Sequence, residues 1–189
     1  MGDIKEEVQY KNLTIRFTRT NLTFNEYSVF IDAVCAGWIR DGITWLRNRF
    51  GERYRGHMGL LGNALVLCAV KTLCVDTVPE PSLIVAKKRL QADVAVLGAE
   101  ELLIIEVKLH HERYLKFPVV ETQLEKQVEE IQTEFRGYLI KFAVLHLFTA
   151  DMPSLPPRMP RYVKAFNLPP QRKNALDVLK DLLQSLIGQ

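Results

Sequence analysis

Between Leu90 and Leu109 the chain reads LQADVAVLGAEELLIIEVKL, and the side chains in it that could do chemistry are Asp93, Glu106 and Lys108. Two apolar runs flank Gly98-Ala99-Glu100-Glu101, a short polar stretch of the kind that joins antiparallel strands. Taking those four residues as the loop predicts a register. Leu97 then lies opposite Leu102, Ala95 opposite Ile104, Asp93 opposite Glu106 and Gln91 opposite Lys108, all on one face because strand side chains alternate with period two. The other face, Leu90, Ala92, Val94, Val96, Leu103, Ile105, Val107 and Leu109, is apolar throughout. Two carboxylates directly opposed across a strand pair repel each other, at a cost of roughly 0.2–1 kcal/mol that rises with burial. A divalent cation held between them removes that cost, and an all-oxygen ligand set suits Mg²⁺ or Mn²⁺. Lys108, on the same face, adds a fixed positive charge beside it. The alternative is a surface hairpin with a solvated ion cluster. Against it stand the wholly apolar opposite face and the continuation of the charged face through Ile104 and Leu102.

Asp93, followed thirteen positions later by Glu106-Val107-Lys108 in an apolar strand, resembles the D…(D/E)xK signature of the PD-(D/E)xK phosphodiesterase superfamily. That family contains restriction endonucleases, RecB-like nucleases and archaeal Holliday junction resolvases. The resemblance covers roughly residues 56–168 and implies a Mg²⁺-dependent nuclease acting on DNA, with Mn²⁺ able to substitute. It implies that Asp93, Glu106 and the main-chain carbonyl of Val107 hold the metal, while Lys108 orients or helps deprotonate the attacking water. Many members carry a glutamate on the first core helix in a G-x-x-G-E-like context. Here Gly59-Leu60-Leu61-Gly62 is followed by Asn63. An amide oxygen can ligate a metal or orient a water without adding negative charge; an asparagine bonded to core backbone is the alternative. RecB-like members also place a glutamine on the helix after the (D/E)xK strand. Gln123, on the predicted amphipathic helix Glu121–Phe135, matches that spacing, and an ordinary solvent-facing residue is its alternative.

A chain of 189 residues is long enough for one domain with a substantial core. The net charge of +3 announces no strong basic footprint, so nucleic-acid binding must use a local patch. The densest basic cluster is Arg47, Arg49, Arg53, Arg55 and His57, a solvated face or a phosphate-contacting patch. Lys87-Lys88-Arg89 is the second such group, to be read as a phosphodiester contact or as the cap of an exposed strand. Cys35, Cys68 and Cys74 lie in apolar surroundings without CxxC spacing and read as reduced core thiols. The charged start and the shortness of the longest apolar run, Ala64–Val70, predict a cytoplasmic protein with no leader and no membrane span. His110 and His111 read as rim residues, because neighbours on a strand point to opposite faces.

In chain order, Leu13–Thr20 predicts a strand, and Tyr27 to Phe50 a helical stripe capped at Asn25, with Gly37 and Gly42 as candidate interruptions, and ended by Gly51. His57–Cys74 predicts a buried helix and Ser82–Ala86 a strand after the break at Pro79-Glu80-Pro81. Tyr138–Phe148 predicts a central strand, Tyr162–Leu168 a final strand and Ala175–Ile187 a closing amphipathic helix. The expectation is an α/β three-layer sandwich with a mixed central sheet flanked by helices. Within it, residues 1–55 form an N-terminal strand and helical extension, able to serve as a homodimer contact, and residues 56–189 the nuclease-like core. The resemblance adds the αβββαβ order of the restriction-endonuclease-like fold. A poorly hydrolysing nucleic-acid-binding module and a regulatory subunit are the competing functions, because fold alone does not choose among them.

Overall fold

The loop beginning at Gly98 joins β6 (Val94–Leu97) to β7 (Glu101–His110) in the predicted register, with Leu97 opposite Leu102, Ala95 opposite Ile104 and Val94 opposite Ile105. This pair sits in a sheet of five strands. The computed structural model describes residues 3–18, 21–73, 75–85, 88–111, 139–168 and 171–187. Ahead of β6 come β1 (Glu7–Tyr10), β2 (Leu13–Phe17), α1 (Phe24–Phe50), a 3-10 segment (Gly51–His57), α2 (Met58–Val70), β3 (Asp76–Pro79), β4 (Pro81–Val85) and β5 (Lys88–Gln91). After β7 come β8 (Leu139–Phe148), β9 (Val163–Asn167) and α3 (Arg172–Ile187).

The five-stranded sheet has the order β3-β6-β7-β8-β9 and is mixed: β3, β6 and β7 run antiparallel, and β8 and β9 run parallel to β7. Its Val94, Val96, Leu103, Ile105, Val107, Leu145 and Leu147 side chains pack under α1, α2 and α3. The opposite face, through Ala95, Leu102, Ile104 and Ile140, packs on a second, antiparallel sheet of order β1-β2-β4-β5. The protein is therefore α/β, and among the described residues its helices lie on one face of a mixed sheet. The expectation of helices on both faces gives way, among the described residues, to a second sheet on the other. From the first 55 residues, β2 pairs with β4 in that second sheet and carries β1 on its other side, and α1 shares a core with α2.

α1 begins at Thr23 rather than Asn25. The Thr23 hydroxyl accepts from the Glu26 N–H, and the Glu26 carboxylate accepts from the Thr23 N–H, a reciprocal cap that supplies two partners for the exposed helix start. At Trp38 the backbone leaves the helix (φ 63°, ψ −146°) and α1 folds back on itself. Three contacts trace the return: Arg49 meets Glu26 at 3.1 Å, the Phe30 and Trp45 rings lie 4.9 Å apart, and Gly42 opposes Val34. A Cβ at Gly37 would overlap the Asp41 side chain, so the bend depends on that glycine. The Phe24–Leu73 stretch is long and apolar enough to cross a membrane by composition alone, yet it bends twice and packs mostly inside the fold.

The same return sets the first arm of α1 against α2 and brings Cys35 to Cys68, with Cα atoms 5.4 Å apart, in a disulfide. This corrects the expectation of reduced core thiols; their separation in sequence concealed a helix-helix contact. The two cysteines therefore give no support to a reducing compartment. Cys74 lies outside the described residues.

α2 is buried nearly all round and comes close to β7 at Gly62, where a Cβ would lie 3.0 Å from Leu109 Cβ and 3.2 Å from Val107 Cγ1. Gly62→Ala is expected to push α2 off the sheet and destabilise the protein by about 1–3 kcal/mol in urea unfolding. Unchanged stability would show that this approach is looser than described.

Candidate functional site

Two strands change sheets at adjacent points, and the acids sit there. The chain leaves the five-stranded sheet after β3, passes through Glu80 and enters the four-stranded sheet as β4. It returns from β5 through Ala92-Asp93 into β6. The crossings are laced together by backbone: Glu80 N–H donates to Asp93 O at 2.9 Å, and Ala92 N–H donates to Pro81 O at 3.2 Å. Pro79 and Pro81 fix φ on both sides of Glu80, which takes a left-handed φ of 43°. That conformation costs a non-glycine residue on the order of 1 kcal/mol or more and is met at turns and at sites with a function.

This crossing corrects part of the predicted hairpin. Gln91 pairs with Ser82 on β4 and not with Lys108, and Leu90 and Ala92 belong to the core between the sheets rather than to the helix-covered face. Asp93 does not extend the β6–β7 register, which ends at Val94 opposite Ile105: its N–H also donates to Ile105 O, at 3.1 Å, so Asp93 and Val94 share one partner in a local bulge. Its carboxyl nevertheless stands near Glu106, whose charge it feels and with which it lines one cleft.

The carboxylate of Asp93 is held from two directions. Val107 N–H donates to Oδ2 at 2.6 Å, and Asn63 Nδ2, from α2, donates to Oδ1 at 3.1 Å. The same Nδ2 donates to Glu80 Oε1 at 2.7 Å, and the Tyr27 hydroxyl from α1 donates to that oxygen at 3.1 Å. Lys108 Nζ lies 2.7 Å from Glu106 Oε1, with its side chain 40% exposed and therefore within reach of a solvent-borne substrate. A strand residue points its N–H and C=O to the same edge, so the Val107 carbonyl faces the side on which Asp93 lies, where β6 has ended. Asp93, Glu106, Glu80, Thr18 and Gln91 line a cleft of about 260 Å³. A larger open cleft, about 920 Å³, lies between Trp38 and Asp151 and includes none of these carboxylates.

Burial, and after it the Glu106 charge, pushes the Asp93 carboxyl up to about 7, against the Val107 and Asn63 hydrogen bonds. Burial likewise raises Glu80, opposed by its bonds from Asn63 and Tyr27. The site thus holds more negative charge than its donors offset. Among the described residues no three His, Cys, Asp or Glu side chains are arranged to hold a metal ion as they stand. The donor chemistry nevertheless fits a hard divalent cation: carboxylates from three elements, and a buried Asn63 Oδ1 without a hydrogen-bond partner.

Sequence reasoning brought Asp93, Glu106, Lys108, Val107 and Asn63 to one place, and they are together. It missed Glu80 and Tyr27. A carboxylate between two prolines in an apolar run was the available signal for Glu80; Tyr27 was indistinguishable from the core stripe around it. Gln123 and Lys87 lie outside the described residues. Lys88 begins β5 opposite Val85, and Arg53 and Arg55 are exposed on the 3-10 segment. The fold-back of α1 brings that segment's neighbour Arg49 to Glu26, one residue before Tyr27, so the basic cluster starts beside the element that reaches Glu80.

His110 is not a rim residue. It is buried, 2.9 Å from Nδ1 of His146 through its Nε2, and stacked on Phe148. His146 stands opposite Lys108 in the parallel β7–β8 register. Burial, and then the charges of His110 and Lys108, holds His146 down at about 4. The imidazole is therefore neutral at neutral pH.

No family model matches the chain, and no curated protein matches it. Among solved structures it is similar to protein VC1899 from Vibrio cholerae, at 13% sequence identity and a TM-score of 0.41, over 93% of this chain and 58% of that one. The chain thus spans less than two thirds of the length of that protein, and a likeness this distant carries no argument about fold or function.

Proposed function

We propose that this protein is a metal-dependent nuclease on a restriction-endonuclease-like fold, hydrolysing phosphodiester bonds in DNA. The observation that carries the reading is that Asp93 and Glu106 line one cleft, with Val107 N–H bonded to the Asp93 carboxylate and Lys108 Nζ 2.7 Å from Glu106. Asp93 and Glu106, with the Val107 carbonyl, would hold Mg²⁺ or Mn²⁺. When bound there, the ion lowers the pKa of a water and neutralises charge that builds on the phosphate oxygens. Lys108 brings a compact ammonium to the scissile phosphate, orients the attacking water and stabilises the pentacovalent transition state. The half-exposed Lys108 stem lets that charge follow the substrate, while the buried Asp93 stays fixed by two hydrogen bonds. The exposed Arg53 and Arg55 serve as phosphate contacts outside the reacting centre.

A second reading, a module that binds nucleic acid without cutting it, is favoured by one observation. Asn63 Nδ2 stands between Glu80 and Asp93, in space a cation would need. The two are separated by incubating labelled single-stranded, duplex and four-way-junction DNA with Mg²⁺, Mn²⁺ or EDTA. A nuclease cuts at least one substrate with metal and none in EDTA. A binding module retains the DNA equally in EDTA and leaves every substrate intact, and that result would reject the enzyme.

A further inference from the structure

Asn63 is 3% exposed and makes an uneven set of contacts. Its Nδ2 serves two carboxylates, Glu80 Oε1 at 2.7 Å and Asp93 Oδ1 at 3.1 Å, while its Oδ1 is buried with no partner. A buried amide oxygen left unbonded costs about 1–3 kcal/mol, so this orientation persists only because turning the amide over would set that oxygen against two carboxylates. The amide hydrogens thus stand where positive charge is needed. A second unbonded buried oxygen, Thr18 Oγ1, lines the same cleft, and Thr18 N–H donates to the Glu80 carbonyl. Glu80 is brought inward by a backbone conformation that only its flanking prolines and the crossing of two sheets account for.

We propose that Glu80 is a further carboxylate ligand of the divalent-cation site, and that the Asn63 amide is its placeholder. In the metal-free protein Nδ2 bridges Glu80 and Asp93. When a cation enters, the amide turns over and presents Oδ1 to it, which gives the unbonded oxygen a partner and releases both carboxylates to the ion. The helix thereby needs no acid at position 63, because the negative charge comes from the crossing strand instead. This rests on the nuclease reading only in taking Asp93 and Glu106 as ligands; it concerns binding of the ion and not cleavage.

The test is Mn²⁺ titrated into the full chain, with free Mn²⁺ read by electron paramagnetic resonance, for wild type, Asp93→Asn and Glu80→Gln. Thermal melting confirms that each variant is folded. Glu80→Gln keeps an oxygen for Asn63 and Tyr27 and is expected to weaken Mn²⁺ binding by more than about tenfold. In wild type, saturating Mg²⁺ is expected to shift the Asn63 side-chain amide resonances. If Glu80→Gln binds Mn²⁺ as wild type does while Asp93→Asn does not, the role of Glu80 is overturned and the nuclease reading stands. If wild type itself binds no Mn²⁺, both fall. Should Glu80→Gln fail to fold, wild type decides: Asn63 amide resonances unmoved by saturating Mg²⁺ overturn the proposal.

Discussion

Asp93→Asn is expected to abolish cleavage, by at least about 10³-fold, and at the same time to stabilise the metal-free protein. On the proposed nuclease reading the loss follows from removing a ligand of an ion that would supply several kcal/mol of transition-state stabilisation. The gain follows from linkage. Burial and the facing Glu106 raise the folded-state Asp93 carboxyl to about 7, above its ordinary value near 3.8. A carboxyl raised in the folded state binds its proton more tightly folded than unfolded. Its favourable contribution is complete below the unfolded pKa and is lost as pH rises through the folded one. At pH 8 and without metal, wild type therefore carries an ionised, poorly compensated Asp93, and the neutral amide does not. The variant should be more stable there by about 1–3 kcal/mol, with a smaller difference at pH 5. Its amide can keep the bond from Val107 N–H, and Asn63 can turn to accept from it. Urea unfolding in EDTA at the two pH values checks this. A variant less stable than wild type at pH 8 would show that Asp93 is ionised at no cost and that the site needs no cation.

Lys108→Met has the second largest effect. Methionine keeps the length of the stem and removes the charge. Cleavage should fall by about 10²–10³-fold, the cost of deleting one group aimed at developing negative charge. Mn²⁺ binding should hold or tighten, since the ammonium 2.7 Å from Glu106 Oε1 competes with the ion for that carboxylate. The separation of the two readouts distinguishes Lys108 from Asp93, whose loss removes both. Equal losses of binding and cleavage would make Lys108 a structural partner of Glu106 and no more.

What could be read from the sequence was local. The turn beginning at Gly98 pins β6 against β7 from Leu97 to Val94, and that pairing brings Asp93 and Glu106 to the same end of the strand pair, although Asp93 itself bulges out of the register. β8 and α3 were legible because an apolar run of strand length and a 3.6-residue stripe each have a single reading. The sheet crossing at Ala92-Asp93 was not. Leu90, Ala92 and Val94 keep alternating through it, and both neighbouring cores are apolar, so the pattern carries no mark of the change. The fold-back at Trp38 was marked in the sequence only by the interruptions Gly37 and Gly42, because the apolar stripe itself does not show it. The two arms of α1 pack on each other as well as on α2, which leaves the helical stripe unbroken across the bend. Gly37, beside which a side chain has no room, was the clue. His146 was concealed in an apolar strand because its polar partner, His110, belongs to another strand. For Glu80 the flanking prolines were a signal, but its role needed the tertiary fold: its partners Asn63, Tyr27 and Asp93 come from three separate elements.

The central claim, hydrolysis by an activated water at a metal held by Asp93 and Glu106, is tested most directly by cleaving DNA in H₂¹⁸O. The metal-stripped full chain is given Mn²⁺ in that solvent, and the product ends are analysed by mass spectrometry. One ¹⁸O in the terminal phosphate for each bond cut, with no product when EDTA is present, is the predicted result. Intact DNA with every metal tested, or cutting that continues in EDTA, would contradict the account.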